Sequence, residues 1–128
     1  MNEMKKDKYI GTETNFQITC ASYLDSIGAT WTHVANERKT SVKRTRGGKY
    51  YSPEGNKLKS MGVKSGVPDI MVFDMRGGFT GLAIELKVGY NKPSETQLDW
   101  LEKLERCGWQ THVTWSLDEF IKIVDEYY

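Results

Sequence analysis

Cysteine and proline are scarce in this chain of 128 residues: there are two of the first and three of the second. Cys20 and Cys107 suit no zinc pattern, and both are read as free thiols, buried or inert, in a reducing compartment. Long apolar runs are absent as well. No stretch approaches the roughly 20 apolar residues that span a bilayer. The opening MNEMKKDKYIG lacks the apolar core of a signal peptide. These absences lead to the expectation of a soluble, cytoplasmic protein. Nor is there an excess of charge of one sign: 18 basic residues oppose 17 acidic ones. A single domain spanning 1–128 is expected from the length.

What is present is unevenly placed. Between Asn36 and Ser60 lie Arg38, Lys39, Lys43, Arg44, Arg46, Lys49, Lys57 and Lys59, opposed by Glu37 and Glu54 alone. Eight positive charges against two leave that segment at +6 and the rest of the chain at −5. With Gly47, Gly48, Pro53 and Gly55 in it, the stretch of about 36–64 reads as a basic loop or flexible hairpin.

The flanking patterns are clearer. Phe16, Cys20, Tyr23, Leu24 and Ile27 share one face of a helix over 13–27, with Thr12 as N-cap and Gly28 just past its end. TWTHVA at 30–35 reads as a strand. DIMVFDM (69–75) and GLAIELKV (81–88) flank Arg76-Gly77-Gly78 and read as a hairpin; their nearly continuous apolar character predicts a sheet covered on both faces. Ser94-Glu95-Thr96-Gln97 has the capping-box form and opens a helix carrying Leu98, Leu101 and Leu104, which Gly108 ends. A strand follows at Gln110 to Trp115. A second capping box, Ser116 to Glu119, opens a helix striped with Leu117, Phe120, Ile121 and Val124. The predicted order is α-β-(basic loop)-β-β-α-β-α, an α/β chain.

Chemistry concentrates in Gly66-Val67-Pro68-Asp69 and Glu85-Leu86-Lys87. A hairpin folded about Gly77 pairs residues whose numbers sum to 154, as those of Asp69 and Glu85 do. Facing residues have Cβ atoms roughly 4.5–5.5 Å apart. Glu85 and Lys87, two apart, share a face of their strand. Two carboxylates so close in an apolar sheet repel each other and resist desolvation, and a divalent cation relieves both. Oxygen ligands favour Mg²⁺ or Mn²⁺. Lys87 is placed to orient water or neutralise phosphate charge, and the basic segment, through Arg38, Lys39, Lys43, Arg44, Arg46 and Lys49, to hold a phosphate backbone. Taken singly, ELK occurs by chance and Pro68-Asp69 fits a turn. The catalytic reading rests on the combination of hairpin register, apolar strands and upstream basic loop. Glu13 either reaches the metal from the helix stripe or is a first-turn acid favoured by the helix dipole. Gln97 fits N3 of a capping box, His33 a strand position, and Asn36 and Glu37 a turn.

Together these residues resemble the VRR-NUC family of the PD-(D/E)xK nuclease superfamily. The features that carry the resemblance are Glu13, His33-Val34-Ala35-Asn36-Glu37, Gly66-Val67-Pro68-Asp69, Glu85-Leu86-Lys87 and the helix-opening Gln97. The resemblance implies a restriction-endonuclease-like core, a mixed sheet flanked by helices. It implies Mg²⁺ or Mn²⁺ held by Glu13, Asp69, Glu85 and the Leu86 carbonyl, with Lys87 catalytic, Gln97 in the active site, and His33 and Asn36 supporting. It further implies a homodimer acting on branched DNA, notably four-way junctions. The alternatives are a flap- or duplex-directed nuclease and a non-catalytic DNA-binding module. In place of the Gly-rich turn common in the family after the Asn, this chain has Glu37-Arg38-Lys39. The insertion through Tyr50 and Tyr51 lies outside the motif.

Overall fold

The computed structural model describes residues 8–35, 43–44, 50–51 and 53–128. The elements in chain order are α1 (Glu13–Ser26), β1 (Trp31–His33), β2 (Lys43–Arg44), β3 (Tyr50–Tyr51), α2 (Pro53–Ser60), β4 (Ile70–Val72), β5 (Leu82–Leu86), α3 (Glu95–Arg106), β6 (Gln110–Thr114) and α4 (Leu117–Tyr127).

Four strands form one mixed sheet in the order β1-β4-β5-β6. The pairs β1/β4 and β4/β5 are antiparallel, and β5/β6 is parallel, with α3 supplying the crossover. All three residues of β4 and all five of β5 are buried, as their apolar runs predict for inner strands. One face carries Ile70, Val72, Leu82, Ile84 and Leu86. It packs on Phe16, Cys20 and Leu24 of α1 and on Phe120, Ile123, Val124 and Tyr127 of α4. Met71 and Ala83 point the other way, onto Leu104 of α3, with Trp100 and Trp109 alongside. Each large apolar side chain buried in this way contributes about 1.5–3 kcal/mol.

The hairpin register agrees with the sequence: Ile70↔Ile84, Met71↔Ala83 and Val72↔Leu82 all sum to 154. The turn itself is centred one step differently. Phe79 N–H donates to Arg76 O at 2.8 Å, and both Gly77 and Gly78 take positive φ (56° and 84°), as a two-residue hairpin turn with matching twist requires.

Local signals set the helix ends. The Thr12 side chain accepts the Asn15 N–H at 3.1 Å and caps α1. Ser94 and Gln97 make the full reciprocal capping box of α3. At α4 half of the predicted box forms. Ser116 Oγ accepts the Glu119 N–H at 3.1 Å, whereas the Ser116 N–H turns to Thr114 Oγ1 at 3.3 Å. A hydroxyl two residues back takes the place of the Glu119 side chain as acceptor.

The basic segment contains more order than a loop. Within it β2 and β3 pair as a short antiparallel hairpin, Lys43↔Tyr51 and Arg44↔Tyr50. The helix α2 follows and corrects the loop reading of 53–60. It buries no residue, so it offers no apolar stripe to detect. Its signals are Pro53 at the first helical position and charges matched to the dipole, Glu54 early and Lys57 and Lys59 late. Among the described residues no helix is long and apolar enough to cross a membrane.

Candidate active site

Glu85 lies on an inner strand and is 1% exposed. Burying an ionised carboxylate is costly unless it is paired and hydrogen-bonded. Here Lys87 Nζ stands 3.1 Å from Glu85 Oε2, and Gln97 Nε2 donates to the same oxygen at 2.7 Å. The Asp69 N–H donates to Oε1 at 3.3 Å. Asp69 precedes β4, and its Oδ2 accepts the Leu86 N–H at 2.8 Å. The two acids are therefore cross-tied: each carboxylate takes an N–H from the other's strand. This is the facing arrangement that the hairpin register predicts, carried one pair beyond the ladder.

Two further contacts hold Asp69 in place. Its carbonyl accepts the Val34 N–H at 2.9 Å and lies 2.8 Å from His33 Nδ1. A carbonyl only accepts, so Nδ1 carries the proton. The end of β1 thus fixes the backbone of the acid on its neighbour.

Gly66 explains the first letter of GVPD. Its φ is +87°, and a Cβ there would meet Thr96 Cγ2 at 2.6 Å and the Thr96 carbonyl carbon and oxygen at 2.8 Å. The backbone that leads to Asp69 therefore lies directly on the first turn of α3, one residue from Gln97. A side chain would push the two apart.

Burial pushes the Glu85 carboxyl up to about 7, with the charge of Asp69 adding to the shift and Lys87 opposing it. Asp69 is also raised by burial, against the Leu86 N–H and the charges of His33 and Lys87. Cys20, on α1, is pushed up to about 12 by burial and then by Asp69, so its thiol stays protonated and unreactive. Cys107 is exposed at the end of α3; neither cysteine forms a disulfide.

The donor set fits a hard divalent cation. A buried and a half-buried carboxylate that desolvation makes readier to take up a proton are, for the same electrostatic reason, relieved by a divalent cation. Among the described residues, no three of His, Cys, Asp or Glu gather into a group that could hold a metal ion. Two carboxylates with water and substrate oxygens is the usual Mg²⁺ arrangement.

The sequence-predicted residues thus divide. Asp69, Glu85, Leu86, Lys87 and Gln97 come together, with His33 behind Asp69. Glu13 sits half-buried in the first turn of α1, apart from any three-acid cluster. Asn36, Arg38, Lys39, Arg46 and Lys49 lie outside the described residues, and Lys43 and Arg44 are placed only as strand backbone. Gln17 was absent from the candidates. Its amide oxygen and nitrogen are buried without a hydrogen-bond partner, one helical turn before Cys20. An amide on an apolar stripe, four residues after Glu13, was the available signal.

A model of the VRR-NUC domain matches residues 15–116. Among solved structures, one described as a VRR_NUC domain protein aligns with a TM-score of 0.66 and 25% identity, over 93% of this chain and 89% of that one. No curated protein matches it. Fold, site and match define a nuclease-type domain with a mixed sheet flanked by helices. The chain belongs to the VRR-NUC family. The matched region starts two residues after Glu13, so Glu13 stands on helix geometry alone.

Proposed function

We propose that this protein is a metal-dependent, structure-selective DNA endonuclease that resolves four-way junctions as a homodimer. The supporting observation is the cross-tied pair of half-buried Asp69 and buried Glu85, with Lys87 Nζ 3.1 Å from Glu85, on a VRR-NUC fold. A non-catalytic DNA-binding module has no use for two carboxylates held this way.

Asp69 and Glu85 would hold Mg²⁺ or Mn²⁺, with the Leu86 carbonyl as a further oxygen donor and Glu13 as the candidate donor from α1. When bound, the ion supplies charge neutralisation and a water of lowered pKa. Gln97 keeps Glu85 Oε2 turned toward α3, and Lys87 offsets negative charge on the phosphate. Water oxygen bonds to phosphorus, the bond to the leaving sugar oxygen breaks, and that oxygen takes up a proton. The basic segment grips the backbone, and His33 and Asn36 support the site. A two-fold dimer would present two such sites to opposite strands of a junction with matching symmetry.

The test is incubation of labelled four-way junction, flap, linear duplex and single strand with Mg²⁺, Mn²⁺ or EDTA, beside Asp69→Asn. Paired symmetric nicks on the junction, lost with EDTA and in the variant, are expected. Cutting of flaps or linear duplex keeps the nuclease and discards junction resolution. Binding without cutting under either metal discards the nuclease.

A further inference from the structure

Beyond Lys87 the chain leaves β5 and turns through Val88–Asn91. Tyr90, at the tip of that turn, is 80% exposed. The turn is held on several sides. Gly89 takes φ +59°, and the Asn91 N–H closes onto Val88 O at 3.2 Å. Trp115 Nε1 donates to Asn91 O at 2.8 Å. Lys8 Nζ stands over the Tyr90 ring, 4.2 Å from its centroid. Lys8 is itself positioned by Tyr9, whose N–H donates to Trp115 O at 2.7 Å and whose ring stacks on Phe16 at 4.6 Å.

A large aromatic ring kept so exposed on a braced turn buries little and adds little to the core. It does offer a flat surface at a defined place. Three residues span at most about 11 Å, so Tyr90 lies within a few nucleotides' reach of Lys87. The basic side chains nearest in the chain are Lys87 and the exposed Lys92, with Lys8 on the ring.

We propose that Tyr90, flanked by Lys8 and Lys92, is a stacking platform for an unpaired DNA base beside the scissile phosphate. In a duplex each base is covered by its neighbours. At a branch point, flap or single strand the face of a base is free to stack on an aromatic ring. The lysines meet the phosphates on either side, which favours a nucleic acid over an apolar protein segment. This inference deepens the nuclease reading by assigning the part of the surface that selects unpaired nucleotides next to the cut.

The test measures binding in EDTA, so it is independent of cleavage. The probes are a short single-stranded oligonucleotide carrying 2-aminopurine and a blunt duplex of equal length. Tyr90→Ala is expected to weaken single-strand binding by roughly 5- to 100-fold, the range set by base–aromatic stacking, and to abolish quenching of the 2-aminopurine. Tyr90→Phe keeps both, and duplex affinity changes less than about twofold on the same grounds. Unchanged single-strand binding by Tyr90→Ala, or an equal loss on single strand and duplex, overturns the platform. Failure of metal-dependent cleavage with intact stacking overturns the catalytic reading instead.

Discussion

Gln97 grips Glu85 with one end of its amide while the other end caps a helix. Its Nε2 donates to Glu85 Oε2 at 2.7 Å, and its Oε1 accepts the Ser94 N–H at 2.8 Å. The orientation of the carboxylate is thereby locked to the N-terminus of α3. Gln97→Ala breaks both ties. Cleavage should fall by about 10- to 100-fold, as for other partners that orient a metal ligand. Gln97→Glu keeps the cap but sets a carboxylate against Glu85. Its cleavage profile should move to higher pH with little change in melting temperature. A wild-type pH profile for Gln97→Glu would reduce Gln97 to a helix cap.

The acid pair makes stability depend on pH. Glu85 holds its proton up to about 7 in the folded chain, above the ordinary carboxylate value. The folded state therefore binds more protons than the unfolded state between those limits, and stability falls as pH rises from about 5 to about 8. In EDTA the melting temperature should drop by several degrees over that range, since about 1 kcal/mol moves a domain of this size by roughly 3–6 °C. Mg²⁺ should restore it at pH 8. Glu85→Gln should remove most of the slope; a melting temperature that rises with pH would contradict the assigned burial of charge.

Gly66→Ala should be among the more damaging single-methyl changes in the protein. It imposes a left-handed conformation on a residue with a Cβ and drives that atom into the backbone of Thr96. The cost is roughly 2–5 kcal/mol from the two effects together. Denaturant melts should show it directly. Cleavage should drop in the fraction that remains folded, because Asp69 and Gln97 are separated.

Replacing Lys43, Arg44 and Arg46 together by Ala tests the basic segment as the grip on DNA. Binding should weaken, and the slope of log affinity against log salt should shrink by up to about 3. An unchanged slope would place the phosphate contacts elsewhere on the surface.

Much of the site was legible because its spacing is local. The strands pair symmetrically about Gly77, so the summed numbers of Asp69 and Glu85 already set them face to face, while the turn itself closes between Arg76 and Phe79. Alternation along β5 put Lys87 on the same side. The capping residues and the glycines at helix ends are one-turn signals, and they located α1, α3 and the start of α4 within one or two residues.

Other features depend on what a residue meets across the fold. The amide of Gln97 reads as a helix cap in sequence, and only the approach of α3 to β5 gives its second end to Glu85. Gly66 is one glycine among twelve until the chain is seen lying on Thr96. α2 escaped because a helix that buries nothing leaves no stripe. The sequence by itself determined the elements that bury a face, the register of the β4/β5 hairpin and the acids that face each other, since each follows from interactions along one strand, one tight turn or one helical turn. Tertiary structure alone decided how far Glu85 is buried, which groups compensate its charge and where Tyr90 stands, because burial and contact between distant segments are properties of packing.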